Sequence, residues 1–159
     1  MASAALVLAL IAYVFIMQTR ARTKALASMS ARQVINPPGI APLVPAYSVV
    51  VRDGELVYVS GMTGMIPGTQ TIIDGGVAVQ TRQTMENITR CLEAAGATLE
   101  DVNEVTVFLT DMADYAAMNE VYITYFPVNP PVRATLAVTA FPRPAARVEI
   151  KCSARVHAR

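Results

Sequence analysis

Two charges set into apolar stretches are the residues best suited by type to do chemistry: Arg133 in Pro-Pro-Val-Arg-Ala-Thr-Leu-Ala-Val, and Glu149 in Arg-Val-Glu-Ile-Lys-Cys-Ser-Ala. Both stretches alternate with the period of a strand. Val132, Ala134, Leu136 and Val138 oppose Arg133, Thr135 and Thr139; Val148, Ile150, Cys152, Ala154 and Val156 oppose Arg147, Glu149, Lys151 and Ser153. The alternation predicts that Arg133 and Glu149 both project from the polar side of a sheet. On neighbouring strands they would converge on one small anionic ligand, the guanidinium gripping a carboxylate and Glu149 moving a proton beside it. Glu149 also has an ordinary reading, a solvated strand charge paired with Arg147 or Lys151. Tyr47 has the ordinary reading of a core aromatic, as most strand tyrosines are. Ser60, which closes Tyr-Val-Ser before a loop, is either a binding hydroxyl or a turn former.

Other chemistries find no support in the residue pattern. There is no nucleophile elbow, Gly-rich phosphate loop or zinc signature, and the single histidine is His157, next to the C-terminal end. Acid and base work therefore falls to carboxylates, tyrosines, hydroxyls or bound water. Cys91 sits in a helical pattern and Cys152 on an apolar strand face, so both read as small buried hydrophobes. No metal site is expected.

The elements that must position these residues follow from periodicity. Tyr47–Val51 and Leu56–Val59 are β-rich runs joined by Arg-Asp-Gly-Glu, a hairpin signal. Residues 61–76 form a loop rich in Gly, Pro and Thr. A helix over Val77–Ala95 carries the stripe Ala78, Met85, Ile88, Leu92 and Ala95 and stops at Gly96. A strand over Asn103–Leu109 follows, then a second helix capped by Thr110 or Asp111 with the stripe Tyr115, Met118, Tyr122 and Tyr125. The order strand, strand, helix, strand, helix, strand, strand predicts an α+β domain with both helices on one sheet face. Several strands are apolar on both sides, so the uncovered face predicts a homo-oligomer.

The chain has 159 residues, 53% of them hydrophobic and 16% charged, which fits one domain plus an appendage. Residues 1–28 read as an apolar and basic leader, 29–46 as a Pro-rich linker and domain entry, and 47–157 as the domain. The leader is uncharged through Thr19, is continuously apolar from Ala4 to Met17, and is followed at once by Arg20, Arg22 and Lys24. Three readings stand side by side: a short membrane anchor that leaves the domain on the cytoplasmic side, a mitochondrial presequence, or a dispensable segment ahead of a start at Met29 in the cytosol. From Asp53 onward eight basic residues face twelve acidic ones, a net of −4. A nucleic-acid partner bound through its phosphates is therefore not expected.

The quoted motifs add a further layer. Tyr-Ser at 47–48, Leu-Val-Tyr-Val-Ser-Gly, Leu-Glu-Ala-Ala-Gly-Ala, Val-Thr-Val-Phe-Leu-Thr-Asp-Met, Met-Asn-Glu-Val-Tyr, Pro-Val-Arg-Ala-Thr and Val-Glu-Ile, in that order and spacing, resemble the reactive-intermediate deaminase (RidA, YjgF-like) family from about Pro37 to Val156. The resemblance implies a chorismate-mutase-like fold of the bacillus type, assembled as a homotrimeric barrel with ligand clefts between subunits. It also implies cofactor-free hydrolysis of enamines and imines such as 2-aminoacrylate and 2-iminopropionate to 2-keto acids and ammonia. Under it Arg133 binds the substrate carboxylate, Glu149 directs water and returns a proton, and Tyr47, Ser60, Gly61 and Thr135 line the cleft. Thr135 stands where many members have Cys, so no thiol nucleophile is available there. A non-catalytic keto-acid-sensing or protein-interaction module is the alternative, and ribonuclease activity a third.

Overall fold

A computed structural model describes residues 4–29 and 31–156, without the side chains of residues 4–5 and 24–29; His157 lies outside the described residues. Helix α1 (Ala4–Met29) leads into strand β1 (Gln33–Ile35), a strand contributed by the stretch read as linker. Strands β2 (Val50–Asp53) and β3 (Leu56–Thr63) form the expected hairpin, whose two-residue turn places Gly54 at φ +60°, where a side chain would be strained. Tyr47 falls just outside the hairpin, in the loop that enters β2. Helix α2 (Val77–Ala94), strand β4 (Val102–Leu109), helix α3 (Tyr115–Tyr122) and strands β5 (Val132–Ala137) and β6 (Val148–Arg155) complete the order predicted from periodicity.

The six strands lie in the order β1-β2-β3-β6-β4-β5, with β4 and β5 parallel and the other pairs antiparallel. The return from β5 to β6 therefore skips over β4, and β5 becomes a sheet edge. Helices α2 and α3 cover one face. Met85, Ile88 and Leu92 of α2 and Met118 and Tyr122 of α3 pack with Val57, Val105, Val107, Val148 and Ile150 in a single core. The opposite face is open and partly apolar, exposing Val34, Leu56, Tyr58, Val132 and Leu136. Cys91 and Cys152 are free and buried, and burial pushes each thiol up to about 12.

The buried stripe of α2 is more polar than the apolar pattern predicts. Thr81 and Thr84 are buried, each returning its hydroxyl to the carbonyl one turn back, Val77 and Gln80, at 2.7 Å. Gln80 and Asn87 reach out of the helix. The Asn87 amide donates to Thr63 O at 3.1 Å and Met65 O at 2.8 Å, while Gln80 donates to Ala145 O at 3.0 Å and accepts from Arg147 N–H at 2.8 Å. These four bonds tie the end of β3 and the entry to β6 to one helix.

Candidate active site

Register decides where the two charges go. On β6, Glu149 lies opposite Phe108 of β4, in phase with Lys151 and Ser153 and out of phase with the core residues Val148 and Ile150. On β5, Arg133 lies opposite Val105 and Thr135 opposite Val107, both core positions of β4. Glu149 thus faces the open side of the sheet and Arg133 and Thr135 face the helices. The expectation that Arg133 and Glu149 share a face is corrected. Strand β4 separates them, and the phase of the parallel β4/β5 pairing turns Arg133 through the sheet. The apolar set of β5, Val132, Ala134 and Leu136, lies on the open face, with Val132 70% exposed.

Glu149 sits in a cleft of about 600 Å³ lined by Tyr47, Ser60, Gly61, Phe108, Phe141 and neighbouring apolar side chains. Tyr47, Ser60 and Gly61 thus join it, the last two at a bulge where β3 slips register against β6 between Val59 and Met62. The carboxylate lies directly over Gly61: a Cβ there would stand 2.6 Å from Glu149 Cδ, so any larger residue at 61 would push the carboxylate aside. Tyr47 is oriented by its hydroxyl, which accepts from Leu43 N–H at 2.9 Å. Glu149 takes no part in the ion pairs among the described residues. Arg147, its expected neighbour, pairs with Asp114 at 2.9 Å instead. Half-burial without a countercharge holds the Glu149 carboxyl above the usual carboxylate range.

Arg133 is held quite differently. Its Nη1 donates to Asn119 Oδ1 at 2.8 Å and its Nη2 to Tyr115 Oη at 3.1 Å, both on α3. The guanidinium carbon lies 4.6 Å from the centre of the Tyr122 ring and 5.8 Å from that of Tyr115. All these partners are neutral, so the positive charge is oriented without being cancelled. Beneath it Tyr122 is 4% exposed, with its hydroxyl and that of Thr135 both buried and unpartnered; burial pushes the Tyr122 phenol up to about 12. Asn119 escaped the reading from periodicity, although a polar residue between aromatics at helical spacing, Tyr115, Asn119 and Tyr122, was the available signal.

An α+β domain with helices on one sheet face and two uncancelled charges on opposite sides is the class this molecule defines. Residues 40–156 match the family model described as Endoribonuclease L-PSP, and the chain belongs to that family, which includes the RidA and YjgF proteins. It is 38% identical over 123 residues to the 2-iminobutanoate/2-iminopropanoate deaminase of Rattus norvegicus, covering 77% of this chain and 89% of the relative. It is 35% identical over 128 residues to the chloroplastic Reactive Intermediate Deaminase A of Arabidopsis thaliana, covering 80% of this chain and 68% of the relative. The crystal structure of RidA from the Antarctic bacterium Psychrobacter sp. PAMC 21119 superimposes with a TM-score of 0.73 at 36% identity, over 78% of this chain and 99% of that one.

Proposed function

We propose that this protein hydrolyses reactive 2-imino and enamine acids to 2-keto acids and ammonia. The observation that carries the reading is a guanidinium fixed entirely by neutral groups, whose charge is left for a ligand carboxylate. The names of the rat and Arabidopsis relatives support the same class of chemistry. In this reading Arg133 holds the carboxylate and so aims the C=N carbon at a water molecule. Glu149 takes a proton from that water as its oxygen bonds to the carbon. Glu149 returns that proton to the nitrogen as the carbinolamine forms, then takes the carbinolamine hydroxyl proton and passes it to the nitrogen as the C–N bond breaks, ammonia leaves and the C=O bond closes. A carboxyl whose proton affinity is raised by burial suits both halves of this exchange.

Arg133 and Glu149 point from opposite faces of one sheet, so the reading requires a second copy. The edge strand β5 of one copy would bring Arg133 to the Glu149 cleft of another, with Val132 and Leu136 covered on the way. A closed ring of three such contacts is the assembly proposed here, since a head-to-tail contact must either close or polymerise. The test generates 2-aminoacrylate in situ and follows pyruvate with the purified protein. Pyruvate forming faster than by spontaneous hydrolysis supports the reading, and an unchanged rate overturns it. The family description favours a second reading, RNA cleavage, which the acidic excess after Asp53 opposes. Salt-sensitive RNA cleavage lost in Glu149→Gln would favour it.

Helix α1 is proposed to act as a leader that tethers or targets the domain. In its support, none of the residues Leu6–Thr23 is buried, and the apolar side chains before Arg20 leave no polar face. Alkaline extraction of membranes, with N-terminal sequencing of the mature chain, separates a retained anchor from a cleaved presequence; a full-length chain that stays soluble overturns both and leaves the cytosolic reading.

A further inference from the structure

The Tyr115 hydroxyl has a hydrogen to spare. Arg133 Nη2 donates to its oxygen at 3.1 Å, so the phenol's own O–H must aim elsewhere, and no acceptor among the described residues takes it. Tyr115 is 40% exposed, so this O–H opens to solvent. Each Arg133 terminal nitrogen also keeps a second N–H beyond those given to Asn119 and Tyr115. Donation from the guanidinium into the phenol oxygen polarises the O–H and makes it a stronger donor. Its position is fixed as well, because Tyr115 begins α3 and its ring stands 5.8 Å from the guanidinium carbon.

We infer that Tyr115 is a substrate-binding residue: its O–H gives a third hydrogen bond to the carboxylate that Arg133 receives, so a 2-imino or 2-keto acid is recognised by guanidinium and phenol together. The inference rests on Arg133 being the carboxylate clamp. A carboxylate has lone pairs for two guanidinium N–H groups and one O–H at once. Because the carboxylate is unchanged in the reaction, the added bond holds ground state and transition state alike. Its loss should raise KM and leave kcat.

The test compares full-length wild type with Tyr115→Phe, which keeps the ring and removes only the hydroxyl. Pyruvate and its neutral amide, pyruvamide, are titrated by NMR, and KM and kcat are measured with 2-aminoacrylate generated in situ. The expected result is about tenfold weaker pyruvate binding and about tenfold higher KM, with kcat, thermal midpoint and pyruvamide binding unchanged. Unchanged pyruvate affinity overturns the inference, as does a fall in kcat at constant KM, which would make Tyr115 a support for Arg133 only. Should wild type bind pyruvate in a Tyr115-dependent way yet turn over no imine, the hydrolase reading fails and this inference stands. Wild type that binds no pyruvate overturns both.

Discussion

The two halves of the candidate site solve opposite problems. Around Arg133 every visible group is a neutral hydrogen-bond acceptor or an aromatic face, and the charge is fixed in direction at little cost in strength. Around Glu149 the wall is largely apolar, no cation among the described residues pairs with it, and burial raises its affinity for a proton. The first environment suits a charge that must stay constant while a ligand comes and goes. The second suits a charge that must change during a reaction. One sheet carries both on opposite faces, and this separation is what makes a second copy necessary for them to meet.

The largest effects are expected when each half is disabled separately. Arg133→Ala and Glu149→Gln should each lower kcat/KM for imine hydrolysis by about a thousandfold while the proposed trimer persists in light scattering. Mixing the two dead variants through unfolding and refolding should restore part of the activity, because some interfaces then combine an intact Arg133 with an intact Glu149. No recovery in well-folded mixed oligomers would place both charges at work within one chain.

A smaller effect is expected from a change confined to the Glu149 half. Gly61→Ala puts a methyl group where the carboxylate now lies, and the displaced Glu149 should cost about a hundredfold in kcat. Binding of pyruvate through Arg133 should change little, and an equal loss in both quantities would show that the halves are not independent.

The smallest effect is on stability. The Glu149 carboxyl binds its proton more tightly folded than unfolded, so its contribution to stability falls as pH rises through the window between the unfolded and the raised folded pKa. At neutral pH Glu149→Gln should therefore melt at a higher temperature than wild type. The gain should vanish on acidification to about pH 4, near the ordinary carboxylate value. A variant that melts lower at neutral pH would mean the carboxylate has a stabilising partner.

The element order was legible because each element carries its own period. Alternation marked β5 and β6, the stripe Met85, Ile88, Leu92 marked α2, and Asp53-Gly54 marked the hairpin turn. The polar partners were less legible. Gln80 and Asn87 break an apolar stripe, and nothing local says that they hold β3 and β6 some distance away in the chain.

The order of residues alone sets Arg133 and Glu149 out of phase with the apolar residues of their own strands, since alternation is a property of the local backbone. It also determined the family through motifs in fixed order. It could not determine which side of each strand faces the helices, because β5 is apolar on the side that turns outward, and apolar residues on an edge strand serve a neighbouring copy as readily as a core. That choice came from tertiary structure: β4 takes the place between β5 and β6, and the parallel register of Val105 with Arg133 and of Val107 with Thr135 carries the arginine to the helix face while Glu149 stays on the other.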